Sequence, residues 1–429
     1  MTKKKLFAMI FMNGVASLNA ATMYVGTCGS PSATTIQIAV TASAAGGTVI
    51  ICPGTYREQV TIMKNLTVKG VAAGNRDQVV ITSPTSGVVT NAADLFNAFP
   101  VAAQILVACN ATVPNVTVSL SNITVDGSGN GITGCSPDLR GIYYENASGS
   151  IANVATRNQV LAAGLIGCQS GEGIFVQSGY GSTTKQHNVS ILNNSVHMFQ
   201  KNGITGDGSM LTVNISGNYI VGQGPTNGAA ENGIQVSDGT AGKVVNNTTI
   251  DEIWAPDTAG DTGDAASGIL IYSSQNIEIA NNTVGSTQFG IVTVSNSIDG
   301  PADHTNIHDN RVMGTQIFDG IDVCSNSNTV KNNAVFSSTE SGIHLDSTCG
   351  STGIKNIVAD NVINEGCAGI LEGATPNTIG GSEDAANNFF NVASEILTSN
   401  VCTAAPLAAA SIATNTGNGA SGPRFSPVR

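Results

Sequence analysis

Within Phe318 to Asp346, "FDGIDVCSNSNTVKNNAVFSSTESGIHLD", four carboxylates and a histidine fall in two near-copies of one pattern, "DGID" and "SGIH". Asp319, Asp322, Glu340, His344 and Asp346 are the residue types that hydrolyse a glycosidic bond when they converge. One carboxylic acid protonates the leaving oxygen. A second carboxylate serves as base or nucleophile, about 5 to 5.5 Å away for retention and about 6.5 to 9.5 Å for inversion. In that scheme Glu340 is the acid, its pKa raised by Asp319 and Asp322, while Asp319 is the base and His344 positions substrate.

These residues can act together only if the two copies stack. From residue 190 onward a unit recurs at steps of 22 to 30 residues, stretched once to 35. Each unit is an apolar strand ending in Asn, a β-branched residue, a polar turn, and a Gly-Ile pair opening another strand. The Asn series runs Asn194, Asn218, Asn247, Asn282, Asn310, Asn333 and Asn361. Short Val- and Ile-rich strands at such a period indicate a β-solenoid. Asn and Gly suit its turns because both tolerate left-handed backbone, and stacked Asn amides can hydrogen-bond along the ladder.

Alignment on Gly-Ile places Phe175, Thr205, Gln235, Leu270, Val292, Asp322, His344 and Leu371 in one outward column. Asp322 and His344 then lie on adjacent coils, roughly 4.8 Å apart. Two residues farther along come Tyr272, Val294, Cys324 and Asp346, and just before Gly-Ile come Glu172, Glu231, Phe289, Asp319 and Glu340. Outward polar residues are also expected of any solvated strand. The stretched coil, "TTIDEIWAPDTAGDTGDAAS", carries the only tryptophan, Trp254. An exposed aromatic there would stack on a sugar ring, so Trp254, Tyr272, Phe289 and Asp346 are the candidate substrate contacts. Its Asp251, Glu252, Asp257, Asp261 and Asp264 could offer oxygen ligands to calcium, though without EF-hand spacing; no metal ligand is assigned and no other cofactor is expected.

Composition narrows the partners. Charged residues make up 11% of the 429 residues, aromatics 5%, and the formal net charge is −12, so nucleic acid and anionic membrane are poor partners. With 41% hydrophobic residues a long core is available. The start, "MTKKKLFAMIFMNGVASLNA", has a basic end, an apolar run and small residues, as a secretory signal does. No later run nears the ~18 apolar residues of a membrane span. Residues 1–20 are therefore expected to be a leader, 21–402 one domain and 403–429 an Ala, Ser, Gly and Asn-rich tail. The expected product is a secreted monomer. Nine cysteines favour disulfides with at least one thiol left over, and Cys28 with Cys52 and Cys324 with Cys349 are the preferred pairs.

Near the N-terminus, Ile36, Ala39, Val40 and Ala44 stand at helical spacing, predicting a short helix that covers the open end of the core. "PGTYRE" follows, with Pro53, Gly54, Thr55, Tyr56 and Glu58. With these features, residues 32 to 400 resemble the right-handed parallel β-helix, or pectin-lyase-like, superfamily. The resemblance implies an all-β fold, a single-stranded right-handed parallel β-helix with an N-terminal capping helix. That fold hosts lyases, hydrolases, esterases, epimerases and non-enzymatic surface proteins. Asp319 in "IFDGIDV" matches the first polygalacturonase motif, and Glu340-Ser341 stands where "DD" would be. Ala368 occupies the place of the family's later histidine, and no "RIK" follows, so the chain departs from genuine polygalacturonases. The reading is a protein that binds an extended polysaccharide, with two-carboxylate hydrolysis as the chemistry its acids would support and enzymatic turnover left open. Its rivals are a non-catalytic adhesion protein and a polysaccharide lyase or epimerase.

Overall fold

The computed structural model describes residues 20–71, 75–109, 114–180, 185–255, 265–314, 318–349, 351–380 and 386–398. The expected leader, but for Ala20, the tail, and Asp257, Asp261 and Asp264 lie outside the described residues. Within them the chain winds as a right-handed parallel β-helix. One 14-stranded sheet forms the first face, and a 23-stranded sheet bends around the other two. A representative coil runs Leu211–Ser216, Tyr219–Thr226 and Asn232–Ser237, and the next runs Ala241–Val245, Thr248–Trp254 and Ser267–Tyr272. Each strand pairs in parallel with its counterpart one coil on.

The core is a stack of like residues. On the third face Ile142, Ile174, Ile204, Ile234, Ile269, Ile291, Ile321, Ile343 and Ile370 pair in unbroken register, all fully buried. At the corner between first and second faces, Asn194, Asn218, Asn247, Asn282, Asn310, Asn333, Asn361 and Asn387 form an amide ladder. Each Nδ2 donates to the next Oδ1 at 2.9–3.0 Å. That oxygen also accepts the preceding Asn backbone N–H, so groups that a sharp buried corner would orphan are satisfied.

The left-handed conformation belongs to the neighbours of the ladder. Asn193, Asn246, Asn281, Asp309, Asn332 and Asp360 have φ of 54° to 59°, and each precedes a ladder Asn. The Gly-Ile glycines are required by close approach. A Cβ on Gly203 would lie 2.6 Å from the carbonyl oxygen of Gly233, and one on Gly233 would lie 2.7 Å from that of Gly268.

The capping helix is Ile36–Ala42, with Ile36, Ala39 and Val40 buried. Ala44 falls instead in the strand Ser43–Ile51. "PGTYRE" serves this end: Glu58 accepts the backbone N–H of Ile36 and of Gln37, and the Tyr56 hydroxyl donates to the Cys52 carbonyl at 2.8 Å. Disulfides join Cys28–Cys52 and Cys324–Cys349, the two expected pairs, and also Cys135–Cys168; Cys109 is a free thiol.

Candidate functional site

The column inferred from Gly-Ile has the expected register. Phe175, Thr205, Gln235, Leu270, Val292, Asp322, His344 and Leu371 pair in sequence from coil to coil. Its surroundings differ from the expectation, since every member is buried. Leu270, Tyr272, Phe289, Val292, Val294 and Ala265 build an apolar layer outside the solenoid wall, against which Phe318 and Cys349 pack. Three candidate sugar platforms are consumed in such layers. Trp254 ends the strand Thr248–Trp254 and packs on Ala230 and Ala266, Phe289 stacks on Phe318 at 4.5 Å, and the Tyr272 hydroxyl donates to Asp299 at 2.9 Å. None of these buried rings offers an open face to solvent, so they are corrected from substrate contacts to packing residues.

The charged residues do converge. Asp319 Oδ2 lies 3.1 Å from His344 Nδ1, while Asp319 Oδ1 accepts both the backbone N–H of Ser341, at 3.0 Å, and its hydroxyl. Both Asp319 oxygens are thereby engaged, which suits it to hold His344 rather than to act as the base expected from sequence. Asp346 Oδ1 stands 4.0 Å from His344 Nε2 and accepts from Thr348 N at 2.7 Å. Asp322 Oδ1 and His344 Nε2 are buried without a hydrogen-bond partner. Asp319, Asp322 and Asp346 are enclosed, His344 is 8% exposed, and Glu340 is half-buried at the rim.

So many acids in one enclosure shift each other. Burial, then the charge of Asp319, pushes Glu340 up to about 7 against the opposing pull of His344. Burial and then Asp346 hold Asp322 well above the ordinary carboxylate range. For His344, burial alone would lower the pKa, but Asp319, through charge and hydrogen bond, with Asp322 and Asp346, raises it to about 10. At neutral pH His344 is therefore an imidazolium and Glu340 is poised near half-protonation.

Donor atoms of Asp319, Asp322 and His344 all lie within 4.8 Å of one another and could hold a cation. An imidazole in that set is unlike the all-oxygen shell of calcium. Cys324, Asp346 and Cys349 also meet, but the two cysteines are joined as a disulfide and offer no thiolate. At the ends of the same strands lies an open depression of about 430 Å³, lined by Ser295, Asn296, Pro301, Asn326, Ser351 and Thr352.

A second charged centre escaped the sequence reading. Arg140 is buried with Asp94, Asp138 and Glu172 around it. Its signal was present, because "RGI" at Arg140-Gly141-Ile142 repeats "EGI" at Glu172-Gly173-Ile174 and pairs with it in register.

No family model matches the chain, and no curated protein matches it. Solved structures do. The A-module of Azotobacter vinelandii mannuronan C-5 epimerase AlgE4 superposes with a TM-score of 0.54 at 14% identity, covering 85% of this chain and 92% of its own. The Dettilon tailspike protein gives 0.58 at 16% identity, covering 87% and 68%. The catalytic domain of a GH87 α-1,3-glucanase, solved with tetrasaccharides, gives 0.51 at 13% identity, covering 87% and 65%. At these identities the likeness is one of fold. Together with the coil register and the capped first turn, it shows a right-handed parallel β-helix.

Proposed function

We propose that this is a secreted carbohydrate-active protein that binds an extended polysaccharide and hydrolyses it at the Asp319–Asp346 cluster. One observation carries the reading: Asp319, Asp322, Glu340, His344 and Asp346 come from two consecutive coils and meet in one enclosure, with only Glu340 set at its rim. Glu340, with a pKa near 7, is the general acid. Asp319 fixes the imidazolium of His344, and Asp346, across that ring, is the second carboxylate of the pair. The hydroxyl- and amide-lined depression beside these strands offers polar contacts of the kind sugar hydroxyls take. Fold neighbours that include a mannuronan C-5 epimerase and an α-1,3-glucanase solved with tetrasaccharides support a polysaccharide substrate. The disulfides Cys28–Cys52, Cys135–Cys168 and Cys324–Cys349 fit export to an oxidising compartment, as the leader-like start does, and no helix among the described residues is long and apolar enough to cross a membrane.

The test is a screen of purified protein on neutral and acidic polysaccharides, scoring new reducing ends and unsaturated products, beside Glu340→Gln. Hydrolysis in the wild type and its loss in the variant support the assignment. Unsaturated ends without hydrolysis would replace it by elimination. Binding without turnover on every substrate would favour the adhesion protein, a reading that the near-complete burial of the cluster also suits.

A further inference from the structure

Three side chains of metal-ligating type meet where two consecutive coils stack. Asp322 and His344 are register partners on the strands Ile321–Cys324 and Ser341–Leu345, and Asp319 enters from just before the first strand. One donor atom from each of Asp319, Asp322 and His344 lies within 4.8 Å of the other two. Acids crowd on many surfaces without consequence, but these are enclosed, Asp319 and Asp322 each 2% exposed and His344 8%. Asp322 Oδ1 is buried with no hydrogen-bond partner, and so is His344 Nε2. A stranded buried acceptor is costly, the more so when it is charged, unless something binds it.

A metal ion meets these needs together. Bonds of about 2.0–2.2 Å set neighbouring ligand atoms roughly 3 Å apart, and Asp319 Oδ2 and His344 Nδ1 are 3.1 Å apart. Asp319 Oδ1 is fixed from behind by the backbone N–H and hydroxyl of Ser341, as ligating carboxylates commonly are. With Nδ1 on the ion, the proton of a neutral imidazole sits on Nε2, which faces Asp346 Oδ1 at 4.0 Å. Asp322 Oδ1, without another partner, is the oxygen left for the third bond. Two carboxylates and a neutral imidazole carry two negative charges, so a divalent ion leaves the buried set neutral. Imidazole beside carboxylate suits zinc-like ions, whereas calcium and magnesium favour all-oxygen shells. Thiolate takes no part, because Cys324 and Cys349 are joined.

We propose that Asp319, Asp322 and His344 bind one divalent transition-metal ion of the zinc class, with a coordination position left for water or a sugar hydroxyl. Three protein ligands and one exchangeable position make up an open zinc site. The small exposed edge of His344 gives the ion a way in. The ion takes the place of a proton on Nδ1; stripped of metal, the same enclosure holds the imidazolium described above. This goes beyond hydrolysis at the cluster, because Glu340 is not a ligand and the ion's binding does not depend on the acid that Glu340 supplies.

The experiment strips the whole protein with a chelator and titrates it with Zn²⁺ by calorimetry at neutral pH, beside Asp322→Asn, His344→Gln and Glu340→Gln. The wild type should saturate at one ion per chain. Asp322→Asn, which keeps the size and removes the charge, should weaken binding about tenfold or more, as should His344→Gln. Glu340→Gln should leave it unchanged. Co²⁺ in place of Zn²⁺ should give visible bands without thiolate charge transfer. Hydrogen exchange of the wild type with and without Zn²⁺ locates the ion even where a variant fails to fold: protection should centre on residues 319–346. Zinc binding without turnover of any polysaccharide supports the metal site and overturns only the hydrolytic reading. No saturation by Zn²⁺, affinity unchanged in folded Asp322→Asn, protection centred elsewhere, or displacement of Zn²⁺ by equimolar Ca²⁺ overturns the proposal.

Discussion

Glu340 makes the pH dependence of stability a direct probe of the acid cluster. Its pKa is raised from the ordinary 4.5 to about 7 in the folded protein, first by burial and then by Asp319. Between those values the unfolded chain has released the proton and the folded chain has kept it. Stability from this group is therefore full below about pH 4.5 and is lost as pH rises through about 7. At 1.36 kcal/mol per tenfold change the gap is worth about 3 kcal/mol, and partial solvent screening at the rim brings the expectation to about 2 kcal/mol. Glu340→Gln keeps the shape and removes the titration. Guanidinium unfolding of both proteins at several pH values between about 4.5 and 7.5 should show the wild type losing that amount relative to the variant. Taking the difference cancels the groups that do not feel Glu340; Asp322, whose carboxyl Glu340 helps to raise, is not among them. A wild-type-to-variant difference that stays constant across the window would refute the enclosure of Glu340 among like charges.

Other perturbations test other levels of the fold. His344 loses its contribution as pH rises from 6.5 through about 10, so His344→Gln should flatten the alkaline arm of the stability profile, read by the same unfolding assay. Asn282→Ala removes an amide that donates to Val244 O and Asn310 Oδ1 and accepts twice from Asn247, and should cost about 2–4 kcal/mol in chemical denaturation. Gly233→Ala drives a methyl toward the Gly268 carbonyl and should cost about 1–3 kcal/mol, visible as a lowered Tm. Glu58→Ala uncaps the helix Ile36–Ala42 at about 1 kcal/mol, with faster hydrogen exchange at Ile36 and Gln37.

What was legible in the sequence is what the repeat enforces. Gly-Ile spacing set the register of Asp322 against His344, and Cys324 with Cys349 followed from neighbouring coils. Roles resting on tertiary cover were not legible. Phe289, Tyr272 and Trp254 look alike in sequence whether a loop lies over them or solvent does, and all three are buried. Glu340 was aligned with Asp319, yet Ser341 holds the position directly before Gly342-Ile343, and it is Ser341 that binds Asp319. Arg140 was passed over because long insertions obscure the repeat between residues 85 and 170, although its strand pairs in register with the next. The glycines were assigned to left-handed turns when their role is to let adjacent coils touch.

The stacked isoleucine column also acts as a ruler. Because each coil repeats the same inward residue at the same register, the separation of the buried Arg140 centre from the acid cluster is counted in whole rungs. Loops can lengthen or change composition without altering that count, whereas gain or loss of one coil would move the two centres by a single ~4.8 Å increment with their internal geometry intact. Spacing and chemistry can therefore vary independently in this architecture: one by the number of rungs, the other by the side chains each rung presents.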